Sequence, residues 1–129
     1  MARILIVDDS GMMRRNLSLI LKRAGHTIVA EAANGTQAYV EYDLNKPDLV
    51  TMDITMPGMD GLQAVQKIIG SFPDAVIIMV SAIGEKHHII EAVGYGAKHY
   101  ILKPFSPEKV IAVVNEVLSK TVAKASGDN

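Results

Sequence analysis

Five short runs of branched and apolar residues recur along the chain, and a segment of helical periodicity follows each one: Ile4–Val7, Thr27–Ala32, Leu49–Met52, Val76–Val80 and Lys98–Leu102. This alternation leaves few folds open. Strands that are consecutive in sequence but separated by a helix pair in parallel, and each crossover is right-handed. The first, third and fourth runs are apolar on both faces, as buried strands are. The second and fifth carry polar residues such as Glu31 and His99, which places them at the edges. The expected fold is α/β, a doubly wound five-stranded parallel sheet of order 2-1-3-4-5, flavodoxin-like.

The intervening segments carry their own stop and start signals. Met13, Leu17, Ile20, Leu21 and Ala24 form one apolar helical face, closed by Gly25. Asn34 with Gln37, and Asp60 with Gln63, have the spacing of a capping box. Asp60 opens a helix with Leu62, Val65, Ile68 and Ile69 facing inward. A weaker helix spans about Glu85 to Val93, with Gly84, Gly94 and Gly96 loosening its ends. Ser106-Pro107 starts the last helix, whose stripe is Val110, Val113, Val114, Val117 and Leu118. A polar tail over 122–129 is expected to fray, leaving one domain over 1–121.

Composition excludes several function classes. There is no cysteine, so disulfide frameworks and thiolate metal or nucleophile sites are ruled out. A net charge of -1 gives no basic footprint for nucleic acid. The longest near-continuous apolar run, Ala75 to Ile83, is interrupted by Ser81 and is too short for a membrane span. Asp8-Asp9 follows the N-terminal run too early for a signal peptide, so a cytoplasmic domain is expected.

Four of the five strands end in a polar residue suited to chemistry: Asp8-Asp9, Asp53, Ser81 and Lys103. The C-terminal rim of such a sheet is where ligands collect. Singly, each residue has an ordinary structural role. Asp9 or Ser10 caps a helix, Ser81 is a strand-end hydroxyl, Lys103 is a solvated loop lysine, and Asp53 starts a turn. Their coincidence in order along one rim is the informative feature. Three carboxylates brought together repel and raise one another's pKa values, so they call for a cation. An oxygen-only donor set completed by water suits Mg²⁺. Lys103 adds a compact positive charge and Ser81 a hydroxyl, both suited to phosphoryl oxygens. Such a site can transfer a phosphoryl group onto a carboxylate.

These residues carry a resemblance. Ile4-Leu5-Ile6-Val7-Asp8-Asp9-Ser10, Met52-Asp53-Ile54-Thr55-Met56-Pro57-Gly58-Met59-Asp60-Gly61, Ser81-Ala82 and Lys103-Pro104-Phe105 together resemble a response-regulator receiver domain of two-component signalling, of the stand-alone chemotaxis type. The resemblance covers nearly the whole chain. It implies that Asp53 accepts a phosphoryl group from a phosphohistidine on a sensor histidine kinase. It implies that Asp9 and Asp53 ligate Mg²⁺ directly, with the Thr55 backbone carbonyl, while Asp8 acts mainly through water. Ser81 and Lys103 would bind the phosphoryl oxygens, and the Lys103–Pro104 bond would be cis. Tyr100 matches the family's switch aromatic: Ser81 moves inward on phosphorylation and the ring follows, with room beside the small Ala82. The output would be binding of a downstream protein, the flagellar motor switch or another effector, by a monomer with no direct role for nucleic acid or membrane.

Some features fall outside that pattern. Ile83 and Thr55 occupy positions that tune phosphoryl lifetime in the family, and Gly94 weakens the helix that carries the output surface. His87-His88 are adjacent and read as surface histidines, and Met12, Met13, Met56 and Met59 gather near the site. Four other readings stand beside the first, of which a single-domain phosphorelay carrier is the nearest. A second is the receiver portion of a larger DNA-binding regulator. Another is an aspartyl-phosphate phosphatase, which would want a second aspartate where Thr55 stands. A flavodoxin would want a phosphate loop where Asp8-Asp9 would repel phosphate. The expected protein is therefore a phosphoacceptor with its own transfer and self-dephosphorylation chemistry, and not a turnover enzyme.

Overall fold

A computed structural model describes the backbone of residues 1–127 and the side chains of residues 1–121. The expected tail over 122–129 lies outside the described side chains, and residues 128–129 lie outside the described residues altogether. The elements run β1 (Arg3–Val7), α1 (Gly11–Arg23), β2 (Thr27–Ala32), α2 (Gly35–Asn45), β3 (Leu49–Asp53), α3 (Gly61–Ser71), β4 (Ile77–Ala82), a 3₁₀ turn (Ile83–Glu85), α4 (Lys86–Gly94), β5 (His99–Lys103) and α5 (Pro107–Gly127). All pairings are parallel, as the alternation implies, and the strand order is β2-β1-β3-β4-β5, as edge polarity indicated.

The core has two layers, one on each face of the sheet. Ile4, Ile6, Leu49, Ile78, Val80 and Ile101 meet the apolar stripes of α1 and α5, namely Leu17, Ile20, Leu21, Val110, Val113, Val114 and Val117. Leu5, Val7, Val50, Met52, Ile77 and Met79 meet Ala38 and Tyr42 of α2, Ala64, Val65 and Ile68 of α3, and Ile89 and Ala92 of α4. Each fully buried Ile or Leu side chain contributes about 1.5–3 kcal/mol relative to exposure, which makes this double burial the main stabilising term. Of the four methionines near the rim, Met13 packs within the α1/α5 layer, Met56 and Met59 pack in the other layer, and Met12 is exposed.

The helix starts follow the caps read from the sequence. Asn34 Oδ1 accepts from Gln37 N at 2.8 Å, and Gln37 Oε1 accepts from Ala33 N at 2.8 Å. Asp60 and Gln63 form the reciprocal box at 2.9 and 3.0 Å. Of the two candidates for α1, Ser10 is the cap, its Oγ accepting from Met13 N at 3.2 Å. Ser106 Oγ accepts from Lys109 N at 3.1 Å and starts α5. Gly25 has φ +95°, the left-handed turn that ends α1. The Lys103–Pro104 peptide bond is cis.

One close approach joins β3 to α3. Gly61 N donates to Ile54 O at 2.7 Å, and a Cβ on Gly61 would stand 2.0 Å from the carbonyl oxygen of Asp53. Only glycine fits there. A Cβ on Gly70, by contrast, meets nothing within 4 Å. Gly61→Ala is therefore expected to destabilise the fold by about 1–3 kcal/mol or more through forced backbone movement. Gly70→Ala should instead stabilise it by about 0.5–1 kcal/mol by removing backbone entropy from the helix. Urea unfolding of the two variants checks both signs.

Candidate functional site

The two-residue period of a strand decides which side chains converge. Asp8 lies two residues beyond Ile6, Asp53 two beyond Thr51, and Lys103 two beyond Ile101, so all three emerge on the α1/α5 face of the sheet. β3 lies next to β1 and one strand from β5, which brings the three ends together at the C-terminal rim. Asp8 and Asp53 are only 1% and 5% exposed, whereas Asp9 faces solvent. A carboxylate oxygen from each of Asp8, Asp9 and Asp53 lies within 4.8 Å of the other two.

Lys103 is the counter-charge. Its Nζ stands 3.3 Å from Asp8 Oδ2 and 3.2 Å from Asp53 Oδ1. Burial would lower the lysine's pKa, but the charges of Asp53 and Asp8 and the hydrogen bonds to them raise it above its usual value, so it stays protonated. Asp53 shows the opposite balance. Burial first, then the Asp8 charge, push its pKa from 3.8 to about 6 against the pull of Lys103. Its Oδ1 also accepts from Ile54 N at 3.0 Å, which fixes the carboxylate's orientation.

Other contacts hold the acidic pair in place. Asp8 N donates to Ala32 O at 3.0 Å, and Asp8 Oδ1 accepts from Ser10 N at 2.9 Å. Arg14 reaches back from α1, donating from Nη1 to Asp8 O at 2.6 Å and from Nε to Glu31 Oε1 at 3.0 Å. The cluster fits a hard divalent ion. Its donors are all oxygen, they carry more negative charge than Lys103 offsets, and the exposed Asp9 leaves one side open to water.

Ser81 and Tyr100 lie on the opposite parity. Ser81 is aligned with Ile77 and Met79, and Tyr100 with Leu102, toward the α2/α3/α4 layer. Ser81 is fully buried, and its Oγ donates to the Ala82 carbonyl at 3.0 Å, away from the carboxylates. Tyr100 is 41% exposed and lines an open groove of about 500 Å³ with Leu102, Pro104, Phe105 and Lys109. The structure therefore brings Asp8, Asp9, Asp53 and Lys103 into one constellation and leaves Ser81 and Tyr100 beside it, turned away.

Two participants were not anticipated from the sequence. One is Arg14. The other is Glu85, whose Oε1 accepts from Ala82 N at 3.0 Å and whose Oε2 accepts from the Thr55 hydroxyl. Burial would raise the Glu85 pKa, but the Thr55 hydroxyl, the Ala82 amide and the nearby His88 and Lys103 charges hold the carboxyl below its usual range. The Ala82–Glu85 half has a local signal, a glutamate three residues after a helix cap, as in a capping box. The Thr55 half spans 30 residues and has none.

The raised pKa of Asp53 makes stability pH-dependent. Between 3.8 and about 6 the folded state holds a proton that the unfolded chain has released. The penalty from Asp53 is thus absent at low pH, grows as pH rises through that window, and is complete above it. Without divalent ions at pH 7.5, Asp53→Asn is expected to stabilise the fold by about 1–3 kcal/mol. At pH 4 the difference should largely vanish. Thermal melts at the two pH values check this.

Known proteins share this fold and much of this sequence. The profile of the response regulator receiver domain matches residues 4–115. The chain is 47% identical over 115 residues to the chemotaxis protein CheY of Thermotoga maritima, covering 89% of this chain and 96% of that protein. It is 48% identical over 117 residues to the chemotaxis protein CheY of Bacillus subtilis, covering 91% and 98%. A chain in the crystal structure of the CheX–CheY–BeF3–Mg+2 complex from Borrelia burgdorferi superposes with a TM-score of 0.86 at 36% identity, covering 90% of this chain and 88% of that one. With its sheet order, its acidic rim and these relatives, the chain belongs to the response regulator receiver domain family, in its CheY-like branch.

Proposed function

We propose that the protein is a phosphorylation-driven switch in which Asp53 takes a phosphoryl group from a phosphohistidine of a sensor histidine kinase. The observation that carries this is the Lys103 ammonium, within 3.3 Å of both Asp8 and Asp53 at a buried carboxylate rim. In the transfer, an Asp53 carboxylate oxygen attacks phosphorus, the P–N bond to the kinase imidazole breaks, and the imidazole nitrogen keeps the electron pair. Lys103 faces the charge that develops on the phosphoryl oxygens. The Ile54 amide holds the acceptor carboxylate in a fixed orientation. Asp9, Asp53 and the Thr55 carbonyl would hold Mg²⁺ directly, and Asp8 through water. When bound, the ion neutralises charge on the phosphoryl oxygens.

The switch follows from the parity of Ser81. To reach a phosphoryl group on Asp53 its hydroxyl must leave the Ala82 carbonyl, and Tyr100, on the same face, can turn into the space that opens. The Tyr100–Phe105 groove then changes shape for a downstream protein, the flagellar motor switch or another effector. The match to chemotaxis proteins over 96% and 98% of their length supports a CheY-like signal carrier over a portion of a DNA-binding regulator. Among the described residues no helix is long and apolar enough to cross a membrane. Self-dephosphorylation by water resets the switch, so the chain is a phosphoacceptor and not a turnover enzyme.

Intact-mass spectrometry after incubation with Mg²⁺ and acetyl phosphate tests the chemistry. A single phosphoryl adduct is expected, lost on chelation of Mg²⁺ and lost in Asp53→Asn. Lys103→Met should slow adduct formation by about 10-fold or more. An adduct that survives Asp53→Asn, or forms without Mg²⁺, contradicts the assignment.

A further inference from the structure

Glu85 places a carboxylate on donors that flank the acceptor site. One oxygen takes the Thr55 hydroxyl, two residues past Asp53; the other takes the Ala82 amide, and Ala82 pairs in register with Lys103. The clasp thus ties the loop after β3 to the end of β4, the strand that carries Ser81. Both donors and the Lys103 ammonium are suited to anions, and Glu85 supplies the anion from within the chain. A negatively charged group built onto Asp53 would enter the same neighbourhood, repel Glu85 and compete for its donors. The Ser81–Ala82 segment, whose Ala82 carbonyl the Ser81 hydroxyl must leave, is the segment that Glu85 holds.

The tether is suited to release. Glu85 ends a single 3₁₀ turn, Ile83 is exposed, and a Cβ on Gly84 would meet nothing within 4 Å. No packed side chain in Ile83 or Gly84 holds the turn down. We propose that Glu85 is an internal anionic competitor: a positioning residue that clasps Thr55 and Ala82 in the unmodified protein and must let go when Asp53 is modified, thereby setting the affinity of the site for phosphoryl groups. This rests on the reading of Asp53 as the phosphoacceptor.

Beryllofluoride at saturating Mg²⁺ is the probe, because its beryllium coordinates a carboxylate oxygen and mimics a phosphoryl group without turnover. Isothermal titration of the full chain would compare wild type with Glu85→Ala, Thr55→Val and the double variant, each checked for an intact thermal transition. Glu85→Ala is expected to bind beryllofluoride at least about 3-fold more tightly, a gain of roughly 0.7 kcal/mol. Thr55→Val, which breaks the clasp and leaves the Thr55 backbone in place, should shift affinity the same way. The double variant should gain less than the product of the two single gains. Glu85→Gln, which keeps hydrogen-bonding groups without the charge, should fall between wild type and Glu85→Ala. Unchanged or weaker binding in folded Glu85→Ala overturns the inference, as does full additivity with Thr55→Val. Should Glu85→Ala not fold, unchanged or weaker binding in Thr55→Val overturns it equally. Failure of wild type to bind beryllofluoride at all, or binding that persists in Asp53→Asn, would instead remove the underlying assignment of Asp53.

Discussion

Mutual repulsion among Asp8, Asp9 and Asp53 is the force around which this end of the molecule is built. Two of the three are buried, so water cannot screen them, and the fold brings their oxygens within 4.8 Å of one another. Left alone, such a cluster would push the rim apart or take up protons. Lys103 answers part of the charge from β5, Arg14 fixes the Asp8 backbone from α1, and the Ile54 amide pins Asp53. What remains is an unbalanced negative site, poised for a cation and, beside it, for a group that arrives with its own charge to be neutralised. The sheet below makes this tolerable, since its two apolar layers supply the stability that offsets the cost of the rim.

Under the proposed function, strand parity sets the phosphoacceptor apart from Tyr100. Asp8, Asp53 and Lys103 emerge toward α1 and α5, while Ser81 and Tyr100 belong to the other face. A change at Asp53 therefore reaches Tyr100 only if the Ser81 backbone or hydroxyl crosses between the two sides. The end of β4 is where that crossing would occur, and beyond its ladder to β5 it is held by the hydrogen bond from Ala82 to Glu85. Such a segment can have two arrangements of similar energy, which a switch needs.

What could be read before the structure was what is local or periodic. Strand runs, apolar helical stripes and the Asn34, Asp60 and Ser106 caps all lie within a few residues of sequence, and the sheet order follows from handedness and edge polarity. The acidic pair, Asp53 and Lys103 were legible because each stands where an apolar run stops. Contacts that join distant segments were not. Arg14 reads as one basic residue on an amphipathic helix, and Glu85 as an ordinary charge at a helix start; only the folded chain places one on the Asp8 carbonyl and the other against Thr55. The direction of the Ser81 hydroxyl was equally hidden, since a rotamer depends on neighbours that composition does not name.

The contact between Gly61 and the Asp53 carbonyl gives the rim unequal walls. On that side the backbone of β3 and the first turn of α3 touch with no side chain between them, so there is no rotamer to yield and no methyl group to slide. On the other side the β4 end is connected through a serine hydroxyl and a long glutamate, whose side chains can exchange one hydrogen-bond partner for another without moving the backbone. One wall of the site behaves as a rigid anvil and the other as a spring. A group added to Asp53 would accordingly meet resistance at α3 and find give at β4, because position 61 lacks a single carbon atom.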